Sequence, residues 1–245
     1  MTKQVDVICG DCREIVPTVG RFDFVFADPP ALDNGQGAVP TAEYDSFTRE
    51  WMKLCWRACS GILAAHGDDN LAESCLVAAR RLKMRRIGWI NWAYKPKQGD
   101  GKAWPDARRH CLIFARGDSP TWNPAAVCRQ TELGRIRLPG TIWGGECDGP
   151  HWGRIIANSY ERWEKSRGQL PEVYLARLIG AYTAPGARVL DPFAGSGTTA
   201  VVAQELGREC VTIDQSNDAC EKVRRRLLVG ALRDIGNHEI ARCRR

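Results

Sequence analysis

The sequence has no apolar run long enough to cross a membrane and no signal-peptide pattern at its start. Those two absences point to a cytoplasmic protein without a membrane partner. It has eleven cysteines, yet no two closely spaced pairs that would form a zinc pattern. Only Cys9 and Cys12 are separated by two residues, and Cys55 and Cys59 fall on an expected helix. The thiols are therefore read as reduced, and no metal is expected. The chain shows no internal repeat and no low-complexity segment, which excludes repeat architectures. The Lys-Ser/Thr pair of a P-loop is missing after Gly197, which argues against a nucleoside-triphosphate loop.

What is present is ordinary in bulk and informative in detail. The 245 residues are 44% hydrophobic, enough for one sizeable α/β core with a small inserted lobe. A net charge of +6 permits a nucleic-acid partner without requiring one. One stretch stands out. An apolar strand, Ala187 to Leu190, runs into Asp191-Pro192-Phe193-Ala194-Gly195-Ser196-Gly197-Thr198-Thr199, and a helix is expected from Thr198 through Leu206. Glycine tolerates positive φ and has no Cβ. Gly195 and Gly197 around Ser196 therefore let backbone N–H groups lie against a ligand at a helix N-terminus. A second strand, Cys210 to Ile213, ends at Asp214. That is close to the roughly 20-residue spacing at which such a fold places its ribose-binding acid. Strand, glycine turn, helix, strand and acid together indicate a nucleoside-type cofactor; a plain tight turn is the alternative.

The rest of the chain reads as alternating strands and helices. Strands are expected at Val5–Cys9, Phe22–Ala27, Gly61–Ala65, Ile87–Trp92 and Cys111–Phe114, and helices over Tyr44–Ser60 and Asn70–Leu82. Asp33 to Thr41, rich in Gly, Asn and Pro, reads as a loop. The second strand is nearly all apolar, as a buried parallel strand should be, and ends at Asp28-Pro29-Pro30-Ala31. Ligands in open α/β sheets sit beyond the carboxyl ends of strands, which places Asp11 and Asp28 for function. For each, a turn or helix-cap role is the bland alternative. From Arg116 to about Trp163 periodicity fades, and Trp122, Trp143 and Trp152 lie among Gly and Pro. A helix then starts at Leu170-Pro171-Glu172, with Pro171 in its first turn. Asn217 to Leu228 is a basic amphipathic helix whose Arg224-Arg225-Arg226 run reads as solvated. The stretch 116–163 is therefore read as an inserted, loop-rich lobe between 1–115 and 164–245.

An Asp-Pro-Pro strand end followed much later by a Phe-x-Gly-x-Gly loop resembles the β-group of S-adenosylmethionine-dependent DNA amino-methyltransferases. The resemblance covers most of the chain and includes Gly10-Asp11-Cys12, Asp28-Pro29-Pro30, the Leu170-Pro171-Glu172 helix, the loop from Asp191 to Thr199, and Asp214. It implies a Rossmann-like α/β fold with a mostly parallel central sheet and helices on both faces. In chain order it implies a catalytic part over 1–115, a target-recognition lobe over 116–163 and a cofactor part over 164–245. It implies S-adenosylmethionine as cofactor, touched by Asp11, Asp191, Phe193, Gly195, Ser196, Gly197, Thr198 and Asp214. Asp11 would hold the adenine amino group or simply cap a turn. It implies double-stranded DNA with a flipped target base as partner, in a restriction-modification setting. A homodimer is left open. Asp-Pro-Pro is commoner in the adenine enzymes and Ser-Pro-Pro in the cytosine ones. Adenine-N6 methylation is thus the first reading and cytosine-N4 the second.

The chemistry fits the residues. A base amino group is a poor nucleophile because its lone pair is delocalised into the ring. Asp28 and the Pro29 carbonyl, in a turn stiffened by Pro29 and Pro30, would accept its two N–H bonds and favour the pyramidal form. No metal is needed. The chain departs from the family at Ala31, where an aromatic usually stacks on the base. Trp92 and Tyr94 are the first candidates to replace it, with Trp51 and Trp89 behind them. If nothing does, the chain is a catalytically weak DNA-binding relative. RNA or a small molecule remains a further substrate class. Lys95, Lys97, Lys102, Arg108 and Arg109 near Trp104, with Arg135, Arg137 and Arg154, are expected to face phosphates.

Overall fold

A computed structural model describes residues 5–32, 41–95, 104–130, 135–144, 153, 155, 161–164, 166 and 168–229. Most of the expected Asp33–Thr41 loop, together with Lys97, Lys102, Trp152 and Arg154, lies outside the described residues. Eight strands form one sheet: β1 (Val5–Cys9), β2 (Phe22–Ala27), β3 (Cys59–Gly67), β4 (Arg85–Ala93), β5 (Arg108–Ala115), β8 (Ile142–Gly144), β9 (Arg188–Asp191) and β10 (Glu209–Asp214). Their spatial order is β1-β10-β9-β2-β3-β5-β4-β8. Neighbours from β1 to β3 are parallel, β5 is antiparallel to both β3 and β4, and β8 returns parallel to β4. The fold class is the expected one. A separate ribbon pairs β6 (Arg129–Gln130) with β7 (Ile136–Arg137).

Helices cover both faces. Residues of α1 (Cys12–Ile15), α2 (Thr41–Ala58) and α3 (Asp69–Arg81) pack with Val25, Ala27, Leu63 and Leu190. Residues of α4 (Glu172–Tyr182), α5 (Thr198–Glu205) and α6 (Asn217–Val229) pack with Phe24, Phe26, Ala64 and Val189. Successive strand residues point to opposite faces, so a strand covered on both sides must be apolar throughout. β2 meets that demand: Phe24, Val25, Phe26 and Ala27 are all buried. The register places Phe24 opposite Val189 and Val25 opposite Leu190. Pro171 stands just before α4 as its N-cap rather than within its first turn. No helix among the described residues is long and apolar enough to cross a membrane.

The strand order creates the site. β9 and β2 are parallel neighbours, but the chain leaves them in opposite directions. From β9 it passes through α5 to β10; from β2 it passes through α2 to β3. This is a topological switch point, where the connecting loops diverge and leave a crevice at the carboxyl ends of the strands. Asp28 follows β2 and Asp191 ends β9, so both acids stand at that crevice.

Within the stretch 116–163, Ile142–Gly144 extends the main sheet at its edge, and Trp143 joins the core around Tyr174. Trp51 is fully buried in α2 and meets the Phe193 ring edge-on, with centroids 5.7 Å apart. It therefore fills the core beneath the glycine loop rather than a base site. We predict that Trp51→Ala lowers stability by about 3–5 kcal/mol, the usual cost of truncating a buried tryptophan. Urea unfolding checks this; a loss under about 1 kcal/mol would show that the site collapses without Trp51.

Candidate active site

Two cavities meet at the switch point. The larger, of about 550 Å³, is bordered by Asp11, Asp28, Pro30, Phe193, Gly195 and Asp214. The smaller, of about 390 Å³, is bordered by Asp28, Pro29, Ala31, Trp92, Tyr94, Asp191, Ser196 and Thr198. Asp28, Phe193 and Gly195 border both. Of the residues implied to act in catalysis or cofactor binding, together with Ala31, Trp92 and Tyr94, all but Gly197 border these two cavities, whereas Trp51 and Trp89 border neither.

Gly197 serves the loop from behind. It is the N-cap of α5 at φ +79°, and a Cβ there would lie 2.9 Å from Val223 Cγ2. Both the left-handed backbone and the close approach of α6 demand glycine. Gly195 also has positive φ, +49°, and its N–H donates to Asp214 Oδ2 at 2.9 Å. The other Asp214 oxygen accepts from Ser216 N–H at 2.9 Å. Asp214 therefore fixes the loop to the end of β10, and its remaining lone pairs face the larger cavity. Asp11 caps α1 by accepting from Arg13 N–H at 2.8 Å, the cap role offered for it, and it also borders that cavity. The Arg13 guanidinium holds the Asp11 carboxyl below its ordinary pKa.

Asp28 is different. Its carboxyl makes no hydrogen bond among the described residues, although it is only partly open to solvent through the cleft. Crowding by protein, then the nearby Asp191 charge, push its pKa up to about 8, against a weaker opposing pull from Arg109. An ionisable group with unused acceptors at a cavity junction is a functional candidate on physical grounds. Asp191 is buried and pushed to about 6, but its oxygens are occupied: Oδ1 accepts from Phe193 N–H at 3.0 Å, and Thr199 donates to the same carboxyl.

On the second cavity, Trp92 and Tyr94 stack edge to face, with centroids 5.1 Å apart, and border the same space as Ala31. Trp89 is elsewhere, donating through Nε1 to His110 Nδ1 at 3.0 Å. Of the expected phosphate-facing cations, Arg108 pairs with Asp69 at 3.1 Å, and Arg109 pairs with Asp106 and borders the second cavity.

The expectation for Arg226 needs correction. It is buried, not solvated. Its Nη2 donates to Glu172 Oε1 at 2.7 Å, and its Nη1 donates to the Ser196 carbonyl at 2.9 Å and to Thr198 Oγ1 at 3.0 Å. Glu161 lies against this pair, accepting from Glu172 N–H at 3.2 Å; burial and the Glu172 charge raise its pKa to about 7. The run of arginines hid this: on a helix, three consecutive residues point in three directions, and Arg226 falls on the stripe of buried Cys220 and Val223.

Residues 22–225 match the DNA methylase family of the N6/N4 type. The chain belongs to that DNA methylase family. It is 41% identical over 232 residues to the type II methyltransferase M2.LlaDCHI of Lactococcus lactis subsp. cremoris, covering 86% of this chain and 83% of that one. Two solved structures share its fold. The cytosine-N4-specific PvuII DNA methyltransferase matches with TM-score 0.72 and 15% identity over all of this chain and 92% of that one. The M1.HpyAVI complex with S-adenosylmethionine matches with TM-score 0.67 and 16% identity over 91% and 99%.

In this member of the DNA methylase family, Arg226 ties α6, α4 and the glycine loop together. Removing one partner of a buried ion pair strands the other charge and costs about 3–5 kcal/mol. We predict a loss of that size for Arg226→Leu in urea unfolding, whereas exchanging Arg225, whose side chain is half exposed, leaves stability nearly unchanged. Equal losses for the two variants would reject the assignment.

Proposed function

We propose that this chain transfers a methyl group from S-adenosylmethionine to the exocyclic amino group of adenine in DNA. The observation that carries the reading is Asp28 at the junction of the two cavities, with no hydrogen bond to its carboxyl among the described residues. On one side stand Asp11, Phe193, Gly195 and Asp214, a set that suits an adenosine-type molecule. Two left-handed glycines open the loop, a helix N-terminus follows, and Asp214 at the end of the next strand supports a role with ribose hydroxyls. On the other side stand Ala31, Trp92 and Tyr94, which suit a planar base taken out of the duplex. When bound, S-adenosylmethionine supplies an electrophilic sulfonium methyl.

The chain's own residues then have defined work. Asp28 and the Pro29 carbonyl accept the two amino N–H bonds, which draws the lone pair out of the ring. The nitrogen so exposed would be the nucleophile toward the methyl group that the bound cofactor would supply, and one amino proton would pass to solvent. Asp191 is not assigned this task because its oxygens already bond Phe193 and Thr199. Asp-Pro-Pro rather than Ser-Pro-Pro favours adenine, and cytosine-N4 is the second reading. Nucleoside mass spectrometry of DNA from cells expressing the chain decides: N6-methyladenine supports the first, N4-methylcytosine the second. Neither base above background rejects both.

Asp28 also sets a pH signature. A carboxyl at about 8 in the folded protein, against an ordinary 3.8, keeps its proton where the unfolded chain has lost it. Stability from that group is present at low pH and drains away as pH rises between about 4 and 8. Asp28→Asn avoids the loss, so its melting temperature should exceed wild type by a margin that grows across that window. Its methylation rate should fall on the order of 10²-fold or more while the cofactor still binds. A pH-independent margin, or a wild-type rate, would falsify the role of Asp28.

Ala31 supplies a second test. Trp92 and Tyr94 already border the space an aromatic at this position would enter. Ala31→Tyr should therefore lower methylation, and Trp92→Ala or Tyr94→Ala should lower it too. A faster Ala31→Tyr enzyme, with both alanine variants unaffected, would mean the pocket is empty.

A further inference from the structure

His66 has no part in the account so far. It is the residue after Ala65, and Asp28 is the residue after Ala27; Ala27 and Ala65 are paired across the parallel strands β2 and β3. One step further along each strand sets Asp28 and His66 side by side on the face that carries Phe26 and Ala64. His66 is 2% exposed and borders the second cavity beside Asp28, Ala31 and Trp92.

The ring is held firmly. Its Nδ1 lies 3.0 Å from the hydroxyl of Tyr174, a fully buried residue of α4. The imidazole also sits against Tyr174 and Trp92, at centroid distances of 5.2 and 5.9 Å. Cys111, opposite His66 in the β3–β5 register, is hydrogen-bonded to the same Tyr174 hydroxyl. Imidazole nitrogen is a far better acceptor than a thiol sulfur, which favours the Tyr174 O–H being donated to Nδ1. In that arrangement the neutral ring carries its proton on Nε2. The bond to Tyr174 is the one this ring makes among the described residues, which leaves Nε2–H for whatever enters the cavity. Burial drives the His66 pKa down to about 3, and the ring is neutral at any working pH.

We infer that His66 is a specificity residue whose Nε2–H donates to the ring nitrogen adjacent to the amino-bearing carbon of the target base. This rests on the base-methylation reading above. In adenine that nitrogen is N1 and in cytosine N3, and both are acceptors. Guanine and thymine carry an N–H there. Asp28 as acceptor and His66 as donor thus match the edge of an amino-bearing base and clash with the other two. A neutral donor also suits the chemistry, because a full positive charge at that nitrogen would withdraw the lone pair that must attack. Simple packing on Tyr174 is the rival account, and it predicts no sensitivity to a single atom of the base.

The test uses the full chain and a duplex carrying the site located by mapping modified bases. The target adenine is replaced by 1-deazaadenine, or by 3-deazacytosine if cytosine is the base. The wild type should lose roughly 10- to 100-fold in kcat/KM, the effect of leaving a buried donor unpaired. In His66→Ala, and in the ring-retaining His66→Phe, the ratio between normal and deaza substrates should fall to about one. Cofactor affinity by calorimetry should stay within a few-fold of wild type. A wild-type ratio near one overturns the inference even if neither variant folds, and so does a full ratio surviving in either variant. A wild type that methylates no base in DNA removes the base-methylation reading and this inference with it. A wild type that methylates DNA but ignores the ring nitrogen removes this inference alone.

Discussion

The structure depends on the pairing of β2 with β9. It joins segments more than a hundred and sixty residues apart, as in the match of Phe24 with Val189. It also brings two carboxyl groups, Asp28 and Asp191, to adjacent strand ends on one face. Among the described residues neither forms an ion pair, and burial raises both. The chain resolves the conflict unequally. Asp191 is absorbed into its loop through Phe193 and Thr199, while Asp28 keeps its oxygens free of hydrogen bonds among the described residues. A core built for stability alone would pair both acids or replace them. Keeping one unsatisfied places a costly group where a substrate can satisfy it.

A second constraint acts from behind the loop. Arg226 reaches the Ser196 carbonyl and the Thr198 hydroxyl, and Glu172 holds the guanidinium in turn. Gly197 lets Val223 approach, so α6 touches the loop with both packing and charge. Asp214 pins the opposite end through Gly195 N–H. A loop with two left-handed residues would otherwise have wide conformational freedom, and three anchors remove it before any ligand arrives. The cleft is thus preformed around Phe193, itself wedged on Trp51 and Phe47.

Much of this could be read from residues alone. The apolar run of β2, the glycine loop and the acid ending β10 carry strong local signals, and their order along the chain indicated the site. The parts that escaped have weak local signals. Ile142–Gly144 is three residues long, too short for any periodicity to show, although Trp143 packs into the main core. The strand expected to stop at Ala65 runs two residues further, and His66 lies in that extension. The rule that placed Asp28 beyond a strand end applies equally to His66. Charge near a helix end suggested solvent for Arg226, but its partner Glu172 stands 54 residues away, a distance no window spans.

The outermost parallel strand has a bearing on how the protein is made. Among the described residues β1, at one edge of the sheet, pairs with β10 alone, with Val5 opposite Cys210 and Cys9 opposite Asp214. A ribosome releases Glu209–Asp214 some two hundred residues after Val5–Cys9. At about 5–20 residues per second, the first strand waits on the order of ten seconds or more for that neighbour. During that interval its ladder groups are unsatisfied, and the central β2 lacks β9 as well. Long-range parallel pairing of this kind slows folding because loop-closure entropy is lost before contacts form. The exposed Asp6 puts a charge in the middle of the first strand, which discourages that waiting edge from recruiting another chain.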